Sequence, residues 1–338
     1  MTSATVSVTL ATTLDLAALA ALVTEAFSDS AAPWPLSAAT LAAMGARDDI
    51  ALPSSHVAYL HGAPVGVTLV AVRYGRDAEG GARARVVART WLEALGVVSA
   101  ARGSGVARLL MGRVLDEARA RGSRAVTLQV HASNAPARRL YESLGFVAAR
   151  RLLGFTLPRA SAGRRDVSQT PVSQTPRQWA AGSGTTGITK ETEAGVSVTL
   201  QPVAAPLALP LVEACLAGEP PAARPSWQME TSSLARLASP AQVYMVSPPG
   251  QKSVGYVALT TTPDDTTGAT LLHIGILPES RRRGWGRAAV DMALALYPTV
   301  DSLTVPPLVP GSSTLVPFLT ACGAVRAPEE HLEMSLTL

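Results

Sequence analysis

Two stretches of this sequence set glycines among basic residues directly behind an apolar run. One is SAARGSGVARL, residues 99–109; the other is PESRRRGWGRA, residues 278–288. They share a spacing, Val97-x-Ser99-x-x-Arg102-x-x-Gly105-x-Ala107 against Ile276-x-Pro278-x-x-Arg281-x-x-Gly284-x-Gly286. Each follows a strand-like segment and opens a helix-like one. The first turn of a helix has free N–H groups and the positive end of the backbone dipole. Small residues there leave the backbone bare, so a pyrophosphate can approach. An arginine at the entrance adds charge-assisted hydrogen bonds. Arg282 and Arg283 fill the two positions before Gly284 and face either phosphate or solvent. The competing reading of either turn alone is a solvated, arginine-rich helix start. A dinucleotide turn fits poorly. Gly103-x-Gly105-x-x-Arg108 ends in a bulky residue, and Gly284-x-Gly286-x-x-Ala289 lacks an acid at the end of the next strand. No Gly-Lys-Ser/Thr follows either turn, which excludes a P-loop.

The two turns belong to a larger repetition. Val6-Ser7-Val8-Thr9-Leu10 recurs letter for letter at 196–200, Gly66 corresponds to Gly255, and Gly145 to Gly323, always in the same order. A period this long is a duplicated domain, not a solenoid. The domains expected are 1–158 and 196–338, joined by a flexible Ser-, Thr-, Gly- and Pro-rich linker at 159–195 that repeats VSQTP and holds Trp179. Within the first copy, alternation gives strands at 6–10, 56–60, 65–73, 90–98 and 124–131, with one or two more in 146–157. Helical periodicity covers 14–27, with Thr12 or Thr13 as cap, then 104–121 stopped at Gly122, and 134–144 closed by Gly145. The order is that of a mixed α/β sheet.

Composition narrows the class. The net charge is +4, and of 29 basic residues only Lys190 and Lys252 are lysine, a skew that fits a GC-rich genome. The basic residues are not interleaved with aromatics, which argues against nucleic acid. Cys215, Cys322 and five histidines show no ligand spacing, so no metal is expected. Without a leader-like N-terminus or an apolar run long enough for a bilayer, the expected setting is cytoplasmic, away from membranes.

The segment VTLQVHASNAPARRLYESLGF, 126–146, decides between these readings. With the turn behind Val97 it resembles the GNAT superfamily of acyl-CoA N-acyltransferases, through Asn134, Ala135, Leu140, Tyr141, Glu142, Gly145 and Phe146. The resemblance covers 97–146 directly and the whole chain through the repeat. It implies two tandem GNAT domains, each a mixed, splayed, mostly antiparallel sheet flanked by helices. It also implies acetyl-CoA as cosubstrate and direct attack by a small-molecule or peptide amine. The pantetheine arm would pair with the strand from Leu95 to Val98, with a backbone N–H near Val97 polarising the thioester. Arg102, Gly103, Ser104, Gly105, Val106 and Ala107 would hold the pyrophosphate. Asn134 matches the position that contacts the arm, and Tyr141 matches the general acid. Glu93, a carboxylate in an apolar strand, is either the base for the amine or a binding group for a cationic substrate. His131 is a further candidate base.

The second copy departs from the pattern. Leu272 stands at the place of Glu93, Leu319 at that of Tyr141 and Ser312 at that of Asn134. It keeps Arg281, Arg283, Gly284 and Gly286, so it is expected to be degenerate: either it binds CoA without catalysing, or it has lost both functions and serves as packing or as one wall of a substrate cleft. Catalysis in the second domain and a non-catalytic, CoA-sensing scaffold are the rival readings. The tandem domains can act as a pseudo-dimer.

Overall fold

A computed structural model describes residues 6–30, 33–76, 86–159, 188–191, 196–237, 241–262 and 265–338. In chain order the elements are β1 (Val6–Leu10), α1 (Leu16–Phe27), α2 (Ala38–Asp48), β2 (His56–Leu60), β3 (Ala63–Arg76), β4 (Val86–Val97), α3 (Val106–Ala120), β5 (Ser123–His131), α4 (Ala135–Ser143) and β6 (Val147–Pro158). The second copy continues with β7 (Ile188–Glu191), β8 (Ser197–Val203), α5 (Ala205–Leu216), α6 (Thr231–Leu234), β9 (Gln242–Ser247), β10 (Gly255–Thr262), β11 (Asp265–Ile276), α7 (Trp285–Ala295), β12 (Ser302–Pro310), α8 (Leu315–Ala321) and β13 (Val325–Thr337).

Local chemistry sets several boundaries. α1 starts later than its periodicity suggests, because Asp15 and not Thr12 or Thr13 accepts the Ala18 N–H at 2.8 Å. α2 was not legible as a helix in the sequence. Ser37 caps it at 3.1 Å from the Thr40 N–H, and Asp49 ends it in the left-handed region at φ 63°. The linker expected over 159–195 lies mostly outside the described residues, Trp179 included. Its end is a strand instead, since β7 pairs antiparallel with β8.

Two compact units result, and their bounds do not follow the repeat. One takes the described residues up to Leu153 together with Pro225–Ser233 and Glu329–Leu338; the other takes the rest. In the first, β1, β2, β3 and β4 are successive antiparallel neighbours, β4 runs parallel to β5, and β5 pairs antiparallel with β13 from His131↔His331 to Ala125↔Thr337. In the second, β7 to β11 are successive antiparallel neighbours and β11 is parallel to β12. The end of β6 belongs to this second unit. A Cβ at Gly154 would stand 3.2 Å from the Val305 carbonyl oxygen, a tight contact that glycine avoids where the two backbones approach closely. Each unit is therefore closed by the last strand of the other repeat. Strand pattern alone says which face is buried, not which copy's edge a strand will join.

The cores are aliphatic. In the first unit Leu19, Val23, Leu69 and Leu110 pack on one side, while Met111, Val114, Leu128, Tyr141 and Met334 form a second cluster. Met334, on β13, is 1% exposed. Among the described residues no helix is long and apolar enough to cross a membrane.

The exchange makes a direct prediction. A chain ending at Pro328 strips β5 of its antiparallel partner and uncovers Val126, Leu128 and Met111. It is expected to lose soluble yield and cooperative thermal unfolding of the first unit, whereas a chain cut only before Leu338 should behave as the full protein.

Candidate active site

The site begins with an irregularity in β4. Against β3, Ala94 faces Leu69 and Leu92 faces Val70, so Glu93 is an extra residue with no opposite number. Such a bulge bends a strand and re-aims its side chains. The bend has a visible consequence. Among the described residues, parallel pairing of β4 with β5 stops at Leu92↔Leu128, while pairing with β3 continues to Val97. From Glu93 to Val97 the β5-side edge of β4 is open. Val98 donates its N–H to the Val65 carbonyl at 2.9 Å, on the β3 side. Alternation along the strand turns the N–H groups of Val97 and Leu95 toward the opening.

The turn above this wedge keeps its backbone bare. Gly103 and Gly105 sit at φ 77° and 85°, a region costly for L side chains. A Cβ at either would meet nothing within 4 Å, so conformation and not crowding selects glycine. Gly105 precedes α3 without any side-chain cap, which leaves the N–H groups of Val106, Ala107 and Arg108 without the usual cap acceptor. The Ser104 hydroxyl is turned back onto the Ala101 carbonyl.

Arg102 is tied into the protein around the turn. Its guanidinium donates to the Val97 carbonyl at 3.0 Å, to the Ala26 carbonyl at 3.1 Å and to both Asp29 oxygens at 2.7 Å. It thereby ties the end of β4 to the end of α1, and it holds the Asp29 carboxyl below the usual carboxylate range. These contacts fix the backbone of the turn.

Four further side chains complete the site. Glu93 is half-buried. Burial, reinforced by the nearby Asp48 carboxylate, pushes its pKa up to about 7, against the N–H groups of Trp91 and Gln228 and the charge of Arg47. Trp91 Nε1 at 2.8 Å and Gln228 Nε2 at 3.0 Å both donate to Oε2, and Oε1 has no hydrogen-bond partner among the described residues. Tyr141, on α4, is 6% exposed, packs with Phe146 at 5.8 Å and shares a cluster with Leu95 of the open strand. Burial pushes the phenol well up. Asn134 is the cap of α4, its side-chain oxygen accepting the Ala137 N–H at 3.1 Å. His131 packs edge-on against His331, ring centres 4.2 Å apart, at the end of β5.

Sequence comparison now bears on this geometry. The family model described as Acetyltransferase (GNAT) family matches residues 18–146, which span the wedge, the turn, Glu93 and Tyr141. Residues 18–146 are a GNAT acetyltransferase domain. Its family is one of acyltransferases that move an acyl group from acyl-CoA to an amine. Among curated proteins nothing matches the chain. Solved structures match over its full length. A tandem GNAT protein from the clavulanic acid biosynthesis pathway is 15% identical, covering 99% of this chain and 98% of its own, with a TM-score of 0.62. A GCN5-related N-acetyltransferase from Sphaerobacter thermophilus is 13% identical, covering 98% and 95%, with a TM-score of 0.57. At such identities the likeness shows the fold, a tandem GNAT architecture.

Within that architecture the second unit repeats the scaffold and changes the side chains. Its β11 bulge lies between the pairs Ala258↔His273 and Leu259↔Leu271, so the extra residue is Leu272. Leu277 donates to the Val254 carbonyl at 2.9 Å, the counterpart of Val98 to Val65. Arg281 repeats the clamp, donating to the Ile276 and Cys215 carbonyls at 3.0 Å each. The turn itself is crowded. A Cβ at Gly284 would meet Val196 at 3.1 Å, and one at Gly286 would meet the Phe318 ring at 2.9 Å. Arg282 is held at φ 64°, where the first copy has Gly103, and Arg283 lies 5.4 Å from the Trp285 ring centre. Leu319, at the place of Tyr141, is fully buried.

The residues that sequence reasoning missed surround Glu93. Asp48 and Trp227 carry no motif, and Gln228 lies 135 positions downstream of Glu93. The one available signal was a tryptophan in a chain with 4% aromatics. Glu93 also makes a stability prediction. Its pKa is higher folded than unfolded, so its ionisation destabilises the fold as pH rises from about 4.5 through 7 and costs nothing below that window. Glu93→Gln is therefore expected to stabilise the protein by about 1–3 kcal/mol at pH 8 and to leave it nearly unchanged at pH 4.5, read by urea unfolding at both pH values.

Proposed function

We propose that the chain is an acetyl-CoA-dependent N-acetyltransferase whose working site is in the first unit. The observation that carries this reading is the conjunction at β4. One bulge opens the strand edge, aims the Val97 N–H into the opening and sets a carboxyl of pKa about 7 at its inner end. The bare turn from Gly103 to Ala107 suits a pyrophosphate, and the open edge from Leu95 to Val98 suits the pantetheine amides. The acceptor is a primary amine on a small molecule or peptide.

The chemistry follows from those positions. An ammonium must lose a proton to attack, and Glu93, half ionised near neutrality, accepts it through Oε1 directly or through water. The amine nitrogen bonds to the thioester carbonyl carbon, and the oxygen that gains charge lies by the Val97 N–H. As the C–S bond breaks, the thiolate takes the proton of the Tyr141 hydroxyl; burial keeps that phenol protonated up to the transition state. No side chain is acylated.

In the second unit Leu272 and Leu319 can neither accept nor donate a proton, and Val196 and Phe318 crowd its turn. This supports a non-catalytic role there. Paired variants test the assignment. Gly105→Glu places a carboxylate in the first turn and is expected to abolish acetyl-CoA binding by calorimetry and thiol release with a panel of amines; Gly284→Glu is expected to leave turnover intact. The reverse pattern moves the active site to the second unit, and binding without release on any amine supports a sensor. Tyr141→Phe is expected to lower kcat about 100-fold with little change in the KM for acetyl-CoA.

A further inference from the structure

The second repeat contributes a short segment to the first unit, and it lands on the base. Pro225–Ser233 is counted within that unit. Its anchor is Trp227, whose ring stacks on Trp91 at 5.9 Å and 17° and whose indole N–H donates to the Asp48 carbonyl at 2.8 Å. Arg73 lies 4.0 Å over the same ring and donates to the Trp227 carbonyl, Glu230 and Ser233. Ser233 in turn donates to Asp48 at 3.2 Å, and Arg89 grips both oxygens of Glu230. A segment pinned at both ends in this way has little freedom between them.

Between the pins stands Gln228. Gln129 on β5 donates to its Oε1 at 3.4 Å, which leaves Nε2 as the end presented to Glu93 at 3.0 Å. Trp91 reaches the same Glu93 oxygen from within β4. Two donors on Oε2 fix the rotation of the carboxyl and turn Oε1 outward as the unpaired acceptor. A segment serving only to pack the sheet has no need of an amide so placed.

We propose that Gln228 is a positioning residue for Glu93, so that the second repeat, itself without acid or base, supplies part of the first unit's active site. This rests on the reading of Glu93 as the base. The charged groups facing Glu93 are Asp48 and Arg47 of α2, paired with each other and unchanged by substitution at 228. An amide N–H on the carboxylate favours its ionised form, so removing it raises the pH at which Glu93 loses its proton.

The test uses the full chain with Gln228→Leu, Gln228→Asn and Glu93→Gln. The first readout needs no acceptor: the 13C shift of the Glu93 carboxyl against pH, assigned by its loss in Glu93→Gln. Gln228→Leu is expected to move the midpoint up by about one unit. The second is kcat/KM against pH with acetyl-CoA and the best amine of the panel. Gln228→Leu is expected to lose roughly fivefold at pH 7, to recover at pH 9, and to have no further effect in a Glu93→Gln background. Acetyl-CoA affinity should stay unchanged. An unmoved midpoint, or a loss that persists at pH 9 and adds to that of Glu93→Gln, overturns the role of Gln228. Should Glu93→Gln itself keep full activity and the acidic limb, the base reading fails instead. Gln228→Asn, too short to reach, should resemble Gln228→Leu if contact and not bulk matters.

Discussion

Everything at this site depends on one residue too many in β4. A regular strand would pair with β5 to its end, satisfy its own N–H groups and leave no edge for a second molecule. The extra residue breaks the ladder after Leu92 and leaves Leu95 and Val97 with donors facing outward. The residue that makes the break is Glu93, so the cleft and its carboxyl arise from the same defect. A carboxylate there is tolerable only because Trp91 and Gln228 donate to it while the surrounding protein keeps it half-protonated near neutrality.

The repeated scaffold separates the features both copies share from those in which they differ. Both copies keep the bulge, the donor pointing away from the open edge, the left-handed glycine before the helix and the arginine clamp. Those shared features are backbone devices. The differences are side chains: Leu272 for Glu93, Leu319 for Tyr141, and Phe318 against Gly286. The arginine shared by both turns belongs with the scaffold, because in each copy it binds the carbonyls that end a strand and a helix.

Much of this was legible in the sequence because it is local. Strand alternation, the Gly105 and Gly284 turns, and the spacing from Val97 to Tyr141 all lie within short stretches whose periodicity reports their structure. The bulge was not legible, since a single unpaired residue leaves alternation almost intact. Neither was the placement of Asp48, Trp227 and Gln228, which meet Glu93 only through tertiary contacts. The ends of the copies were misleading for a related reason. β6 and β13 have the composition of ordinary final strands, and their exchange depends on which edge is free when the sheet closes.

That exchange bears on how the protein is made. A ribosome delivers the first 153 residues long before residues 329–338, a delay of roughly 10–35 s at ordinary rates of elongation. Through that interval the β5 edge waits without its permanent neighbour, and in its earlier part, until residue 228 is made, the carboxyl of Glu93 also waits without Gln228. The nascent chain thus passes through a stage in which the first repeat is complete in sequence but not yet in structure. Translation that stops before residues 329–338 leaves β5 without its antiparallel partner in the first unit.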